Sequence, residues 1–159
     1  MFYKIYRTIT SILILNFKIL KLKILDPKKK ILIFFHPKKK LTNITMGYIE
    51  FLLSDTNTIN TINCIGHKDQ TIEKKNYIFI SQRFVNYILF ADYFLSTYMC
   101  DYFPPNCKKI YMHHDIYDTP VVDNVIQKKF LLRLNNYDYI FCPMIFRKNI
   151  LKNFFLKIE

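Results

Sequence analysis

Glycine is scarce in this chain of 159 residues, which contains only Gly47 and Gly66. The dinucleotide-binding motif GxGxxG and the P-loop motif GxxxxGK(S/T) both require several glycines, because the backbone must approach the phosphate groups closely. Neither motif occurs, and the GxSxG motif of serine hydrolases is also missing. The sequence therefore excludes these three kinds of site, and we predict no cofactor.

Cysteine is present but lacks the spacing of a metal site. The four cysteines form no CxxC pair and lie mostly in apolar segments, at Cys64, Cys100, Cys107 and Cys142. We expect reduced, buried thiols and no bound metal. The short loop between Cys100 and Cys107 leaves a disulfide between these two open.

Acidic residues are half as numerous as basic ones: the chain has 24 lysines and arginines and 12 aspartates and glutamates, which gives a net charge of +12. Such a balance favours nucleic acid, an anionic membrane surface or a phosphate-rich substrate. Part of the excess reflects a composition rich in Lys, Asn and Ile with a single alanine, which is typical of an A/T-rich coding sequence. No RNA-binding motif accompanies the aromatic residues, so a nucleic-acid partner is not expected.

The first 25 residues contain no acidic side chain and form a basic, apolar N-terminal segment. Their longest uncharged run, residues 8–17, is shorter than the about 20 apolar residues that cross a bilayer, and no signal-peptide cleavage site follows it. Basic residues around an apolar face suit an interfacial segment on anionic lipid. A helix or edge strand packed on the core fits equally well. We separate residues 1–25 from a single domain at 26–159.

Strands and helices alternate along that domain. Residues 31–35 form a continuous apolar run closed by His36-Pro37, as expected of a central parallel strand buried on both faces. Further strands are predicted at residues 59–65, 77–80, 92–97, 109–112 and 139–142. Helices are predicted to begin at Thr42 or Asn43, at Ser81, at Asp123 (from the recurrence of Ile126, Phe130 and Leu134) and at Pro143. This alternation predicts an α/β fold with a mainly parallel sheet flanked by helices.

The stretch KKIYMHHDIYDTP, residues 108–120, changes its chemistry where its strand is expected to end. Ligands of open α/β sheets bind beyond the carboxyl ends of the strands. There a neutral imidazole can accept a proton from a hydroxyl, and a carboxylate such as Asp118 can orient it. His113 and His114 point to opposite faces of an extended backbone, which argues against a shared metal ion. The predicted base is one of these two, whereas His36 and His67 are expected to be structural or exposed.

The same region resembles the N-terminal half of the CDP-glycerol glycerophosphotransferases, which are teichoic-acid-type polymerases and primases. The resemblance rests on the segments ADYFL at 91–95, PPNCKKIYMHH at 104–114 and DIYDTP at 115–120. The family pattern is a strand, a histidine usually followed by glycine, and a polar turn with a proline. Here the residue after the histidine is Asp115 or His114, depending on which histidine is matched.

The resemblance implies a Rossmann-like N-terminal domain of a two-domain glycosyltransferase-B fold. It implies transfer of a polyol phosphate from a CDP-activated donor to a hydroxyl of a lipid-linked acceptor, in the cytoplasm at the inner face of the cell membrane. His114 or His113 would be the general base, and Asp118 would orient it. The substrate would be bound by Asp115, Thr119, Lys38 and Lys39, although the lysine run is also typical of a solvated turn.

Members of that family bind the nucleotide in a second, C-terminal domain, which we do not find in this chain. We therefore expect the chain to be inactive alone and to need a partner chain that supplies the second domain. An anionic membrane surface is a further expected partner, because the acceptor is lipid-linked. The alternative hypothesis is a truncated, non-catalytic α/β module that binds an anionic membrane, a polyanion or a protein.

Overall fold

The computed structural model describes residues 2–36, 59–66, 77–112, 121–122, 125–126 and 132–141. Helix α1 spans Phe2–Leu25, and a 3-10 helix covers Gln82–Tyr87. The strands are β1 Lys30–His36, β2 Ile59–Ile65, β3 Tyr77–Phe79, β4 Tyr93–Ser96, β5 Lys108–Met112, β6 Val121–Val122, β7 Val125–Ile126 and β8 Tyr139–Phe141.

Six of these strands form one sheet in the order β3-β2-β1-β4-β5-β8, and every neighbouring pair is parallel. The chain builds β1, β2 and β3 towards one edge and then returns to place β4 on the other side of β1. The strand order therefore reverses between β1 and β4. The predicted α/β fold with a parallel sheet is confirmed, whereas the glycosyltransferase-B subtype stays a prediction.

The central strand β1 is buried on both faces, as its continuous apolar run predicts. Alternate side chains of a strand point to opposite faces. Ile31, Ile33 and Phe35 belong to one buried cluster together with residues of α1. Leu32 and Phe34 belong to a second cluster that includes Leu95 of β4. The prediction for residues 31–35 is confirmed in both position and burial.

Helix α1 contributes one face to the core. Ile12, Leu15 and Ile19 recur at intervals of three and four residues and are buried. The 3-10 helix adds Val85 to the same cluster. The helix thus packs on the core, which was one of the two interpretations of the N-terminal segment. Among the described residues, no helix is both long and apolar enough to cross a membrane.

Two aspartates align strands at the amino edge of the sheet. Asp92 precedes β4, where its N–H donates to the carbonyl of Ile31 at 3.0 Å and its carboxylate accepts from the N–H of Ile31 at 2.8 Å. Asp138 precedes β8 and makes the same reciprocal pair with Lys109, at 2.9 and 2.8 Å. In both places Asp-Tyr is followed by two apolar residues. One local pattern therefore sets two strand pairings.

The prediction of a helix from Asp123 is wrong at its start, because residue 126 belongs to a strand. Val125–Ile126 pairs antiparallel with Val121–Val122, since β-branched residues on both sides of a two-residue connection favour a hairpin. The helix predicted from Ser81 is a 3-10 helix that ends at Tyr87, and Leu89 is exposed. The helices predicted from Thr42 or Asn43 and from Pro143 lie outside the described residues.

The described cysteines are free thiols and are buried, as expected. The disulfide left open between Cys100 and Cys107 is not formed, and each of these thiols has another hydrogen-bond partner: Ser96 for Cys100, and the carbonyl of Pro104 for Cys107. Burial raises the pKa of Cys64 to about 12. Cys142 lies outside the described residues.

Removing the Asp138 carboxylate tests the pairing at the amino edge. Asp138→Ala should lower the free energy of unfolding by about 1–3 kcal/mol in urea denaturation, because the N–H of Lys109 loses a charged acceptor. Asp26→Ala is the matched control, since the Asp26 carboxylate pairs with Lys29 at the surface. It should cost less than about 1 kcal/mol. Equal losses in the two variants would show that the reciprocal pair adds no stability of its own.

The raised pKa of Cys64 makes stability fall at alkaline pH. The unfolded chain releases this proton near pH 9, whereas the folded chain holds it to about pH 12. Below pH 9 the thiol is protonated in both states, and its contribution to stability is complete. Between pH 9 and about pH 12 the free energy of unfolding falls, by up to about 1.4 kcal/mol per pH unit. In urea denaturation above pH 9, Cys64→Ala should show a correspondingly shallower pH dependence. An unchanged slope would contradict the assignment.

Candidate functional site

The carboxyl ends of β1 and β4 lie where the strand order reverses. In open α/β sheets, ligands bind in the crevice beyond the carboxyl ends of the strands at such a reversal. Strand β1 ends at His36, and strand β4 ends at Ser96, with Thr97 and Tyr98 following. We call these four residues the switch-point cluster.

A hydrogen bond joins the two strand ends across the reversal. His36 is 1% exposed and Thr97 is fully buried. The Nδ1 atom of His36 lies 3.3 Å from the Oγ1 atom of Thr97, and the tautomer of the imidazole decides which of them donates. The ring of Tyr98 meets the imidazole edge-on, with the ring centroids 5.4 Å apart. The imidazole is thus a fixed, buried link between β1 and β4.

The backbone of His36 is held from the other side by β2. Its carbonyl accepts a hydrogen bond of 2.8 Å from the N–H of Gly66, the residue that follows β2. The next residue in the sequence is Pro37, which has no N–H to extend the ladder, so the strand ends here. His36 therefore connects the ends of β2, β1 and β4.

A polar network stabilises the turn after β4. The hydroxyl of Ser96 donates to the carbonyl of Tyr98 and lies 3.2 Å from the Sγ atom of Cys100. The N–H of Cys100 donates to the hydroxyl of Tyr137 at 2.8 Å. Burial raises the pKa of Cys100 to about 12 and also raises the pKa of Tyr137, so both groups are neutral near pH 7. The thiol is therefore a structural group and not a nucleophile.

The end of β5 lies at the same level of the sheet as the switch-point cluster. Phe35 pairs with Ser96, and Ser96 pairs with Tyr111, so the next residues, His36 and Met112, stand level on either side of β4. Neighbouring strands are about 4.8 Å apart, which puts the ends of β1 and β5 about 10 Å apart. The chain therefore passes from β5 into the stretch that begins at residue 113 at this edge of the sheet.

The residues of the predicted site all lie outside the described residues. They are His113, His114, Asp115, Asp118, Thr119, Lys38 and Lys39. The structure places the strands that precede them, since the two lysines follow β1 and the other five residues follow β5. The roles assigned to these side chains stay predictions.

A cavity of about 620 Å³ opens at the opposite edge of the sheet, beside the amino ends of β4, β5 and β8. Asp92 and Asp138 line it, but both carboxylates already accept backbone N–H groups. Ligands of parallel sheets bind at the other edge, so we assign this cavity no function. Within the described parts of the chain, no three His, Cys, Asp or Glu side chains lie together as a metal site would require.

Sequence reasoning missed the link between His36 and Thr97. It expected His36 to be structural or exposed; the side chain is buried and structural, but its partner was not foreseen. The two residues are 61 positions apart in sequence, and only the strand order brings them together. The available signal was the polar pair Ser96-Thr97 at the end of an apolar strand, in a fold whose strand ends form the site.

Comparisons with known proteins give no information on the site. No family model matches the chain, and no curated protein or solved structure matches it. In α/β folds, ligands bind at the carboxyl edge of the sheet where the strand order reverses, and in this chain that edge carries His36, Ser96 and Thr97. We therefore take this edge as the candidate site.

The link across the reversal can be tested by removing one hydroxyl. Thr97→Val keeps the shape of the side chain, and buried His36 loses this hydrogen-bond partner. The free energy of unfolding should fall by about 1–3 kcal/mol in urea denaturation. Thr10→Val is the control, because the hydroxyl of Thr10 bonds to a carbonyl of its own helix at the surface. It should change stability by less than about 0.5 kcal/mol. A similarly small effect for Thr97→Val would disprove the link.

Proposed function

We propose that this chain is the acceptor-side domain of a glycerophosphotransferase-like enzyme. The enzyme moves a polyol phosphate from a CDP-activated donor to a hydroxyl of a lipid-linked acceptor. The position of β5 carries the proposal, because its carboxyl end lies beside that of β4 at the edge where α/β folds bind ligands. From Met112 the chain continues into the histidine-rich stretch, and the resemblance to the CDP-glycerol glycerophosphotransferases covers that same stretch.

In the proposed reaction, the acceptor hydroxyl attacks the phosphorus of the glycerophosphate group. An oxygen–phosphorus bond forms, the bond to the bridging oxygen of the donor breaks, and CMP leaves. His114, or in the alternative His113, takes the proton of the attacking hydroxyl, and Asp118 orients the imidazole. Such a base typically contributes a factor of about 10² to 10⁴ to the rate.

The substrate would be bound by residues that follow two strands of the same edge. Lys38 and Lys39 follow β1, and Asp115 and Thr119 follow β5. The two strand ends are about 10 Å apart, and lysines near a phosphate stabilise the charge that develops on its oxygens. The buried His36 has a positioning role in this scheme, because it holds the end of β1 against β4.

The proposal assigns nucleotide binding to a second domain, as in the family that the chain resembles. By the same resemblance, the enzyme works in the cytoplasm as a peripheral protein at the inner face of the cell membrane, where its acceptor lies. A second candidate function is a non-catalytic module that binds an anionic membrane, a polyanion or a protein. The apolar side chains exposed along α1 favour this candidate, and they are compatible with the enzyme as well.

The assigned base can be tested in a two-part assay. The full chain is mixed with the nucleotide-binding domain of a CDP-glycerol glycerophosphotransferase, supplied as a separate polypeptide, and CMP release from CDP-glycerol is measured with a lipid-linked acceptor. His114→Ala should lower the rate by about 10²- to 10⁴-fold with little change in the free energy of unfolding. His67→Ala is the matched control and should leave the rate unchanged.

The other outcomes are equally informative. If His113→Ala abolishes the reaction and His114→Ala does not, the base is His113. Unchanged rates in both variants would refute the proposed function. The chain assayed alone should release no CMP, and release without the second domain would show that the division of roles between the two domains is wrong.

A further inference from the structure

Helix α1 carries a second apolar row that faces away from the core. Its members are at least 42% exposed and recur at intervals of three and four residues: Tyr6, Ile9, Leu13, Phe17, Leu20 and Ile24. At about 1.5 Å per residue, the row extends over about 27 Å of helix. Isolated exposed apolar residues are ordinary, whereas a continuous row on one helix face marks an interaction surface.

The loop after the 3-10 helix enlarges this row. The side chain of Asn16 holds the loop with two hydrogen bonds, donating to the carbonyl of Tyr87 at 2.9 Å and accepting from the N–H of Leu89 at 2.7 Å. Asn16 lies one helical turn from both Leu13 and Leu20, so the loop lies beside the exposed row. Tyr87, the last residue of the 3-10 helix, is 57% exposed, and Leu89 and Phe90 of the loop are 42% and 52% exposed. We call the row and these three residues the α1 apolar surface.

Phe90 is exposed in this loop although its backbone conformation is unfavourable. Its φ angle is 65°, in the left-handed region that bulky residues rarely adopt. The strained backbone does not bring the ring into the core, because half of the side chain remains exposed. Strain of this kind is common at binding sites, where the surrounding structure maintains it.

The charges around the α1 apolar surface identify its partner. Lys18 and Lys21 are exposed on α1, and Lys21 lies one turn beyond Phe17. Arg83 is exposed on the 3-10 helix, and α1 contains no acidic residue. A symmetric contact between two copies would bring like charges together, which disfavours a dimer through this surface. An anionic lipid surface satisfies both the apolar row and its basic border.

We propose that the α1 apolar surface binds the surface of an anionic bilayer, with α1 lying in the plane of the interface. The opposite row of the helix, Ile12, Leu15 and Ile19, is part of the protein core, so lipid meets only one face. The loop 87–90 inserts beside the helix, and Phe90 is held there by its backbone conformation. This surface was predicted from sequence only as the basic, apolar segment 1–25, and the contribution of the loop comes from the structure.

Vesicle binding by the full chain tests the proposal. Sedimentation with vesicles of equal parts phosphatidylglycerol and phosphatidylcholine should show binding that weakens at high salt and on pure phosphatidylcholine. The double variant L13Q/F17Q should bind at least about tenfold more weakly. Leu132→Gln is the matched control, because Leu132 is also an exposed leucine, at 58%. It precedes β8 at one edge of the sheet, whereas α1 contacts β3 at the opposite edge. This control should bind as the wild type does.

A second variant separates binding from stability. Phe90→Gly relieves the left-handed backbone, and this gain offsets the lost contacts of the ring and the entropy that glycine adds to the unfolded chain. Its free energy of unfolding should therefore stay close to that of the wild type. Its binding to anionic vesicles should nevertheless be weaker, and a loss of binding in a folded protein of nearly unchanged stability cannot come from misfolding.

Three results would overturn the proposal. In the first, the wild type does not bind anionic vesicles. In the second, L13Q/F17Q binds them as well as the wild type does. In the third, the wild type binds no vesicles but sediments as a dimer, and L13Q/F17Q sediments as a monomer. The last result would identify a second copy of the chain as the occupant. The assay contains no nucleotide and no acceptor, so its outcome is independent of the transferase proposal, which can fail while membrane binding stands.

Discussion

The reciprocal pair between Asp92 and Ile31 is the contact on which the arrangement of the sheet depends. It joins β4 to β1 at their amino ends, and these are the two strands between which the order reverses. Once Asp92 is fixed beside Ile31, Phe35 falls opposite Ser96, and His36 stands beside Thr97. A shift of one residue would turn every side chain of β4 to the other face of the sheet. The carboxyl edge therefore takes its geometry from a contact at the opposite edge.

The same carboxylate also connects the helix to the sheet. The Nζ atom of Lys23 lies 3.1 Å from Oδ1 of Asp92, while Oδ2 accepts the N–H of Ile31. The ion pair is partly exposed and adds little stability by itself. Its effect is to join two elements at one carboxylate. Asp92 contacts both the helix that carries the outward row and the strand β1 that sets the register of β4.

Local sequence patterns predicted a segment correctly where its structure did not depend on which strand lies beside it. A five-residue apolar run predicts a strand buried on both faces, and residues 31–35 confirm it. The pattern failed at residues 125–126, where a four-residue recurrence suggested a helix. There β-branched residues close to one another pair as a hairpin, and short-range pairing prevails over helical periodicity.

The switch-point cluster was beyond local reasoning because it depends on strand order. A histidine before a proline looks like the boundary of a strand, and nothing nearby in sequence indicates Thr97 as its partner. Asp92 and Asp138 were detectable in principle, since both begin the pattern Asp-Tyr-apolar-apolar. Their role becomes visible only when the neighbouring strand is known. The predicted base lies outside the described residues, so its side chain stays a prediction from sequence.

The order of the strands also has a consequence for synthesis. Strand β1 is central in the sheet, but the ribosome makes it 61 residues before the residue that bonds to its final histidine. At about 5–20 residues per second, this takes about 3–12 s. During that interval the sheet that covers the inner row of α1 is incomplete, and the helix presents two apolar faces instead of one. Until its sheet is complete, the nascent chain therefore exposes more apolar surface than the finished protein does.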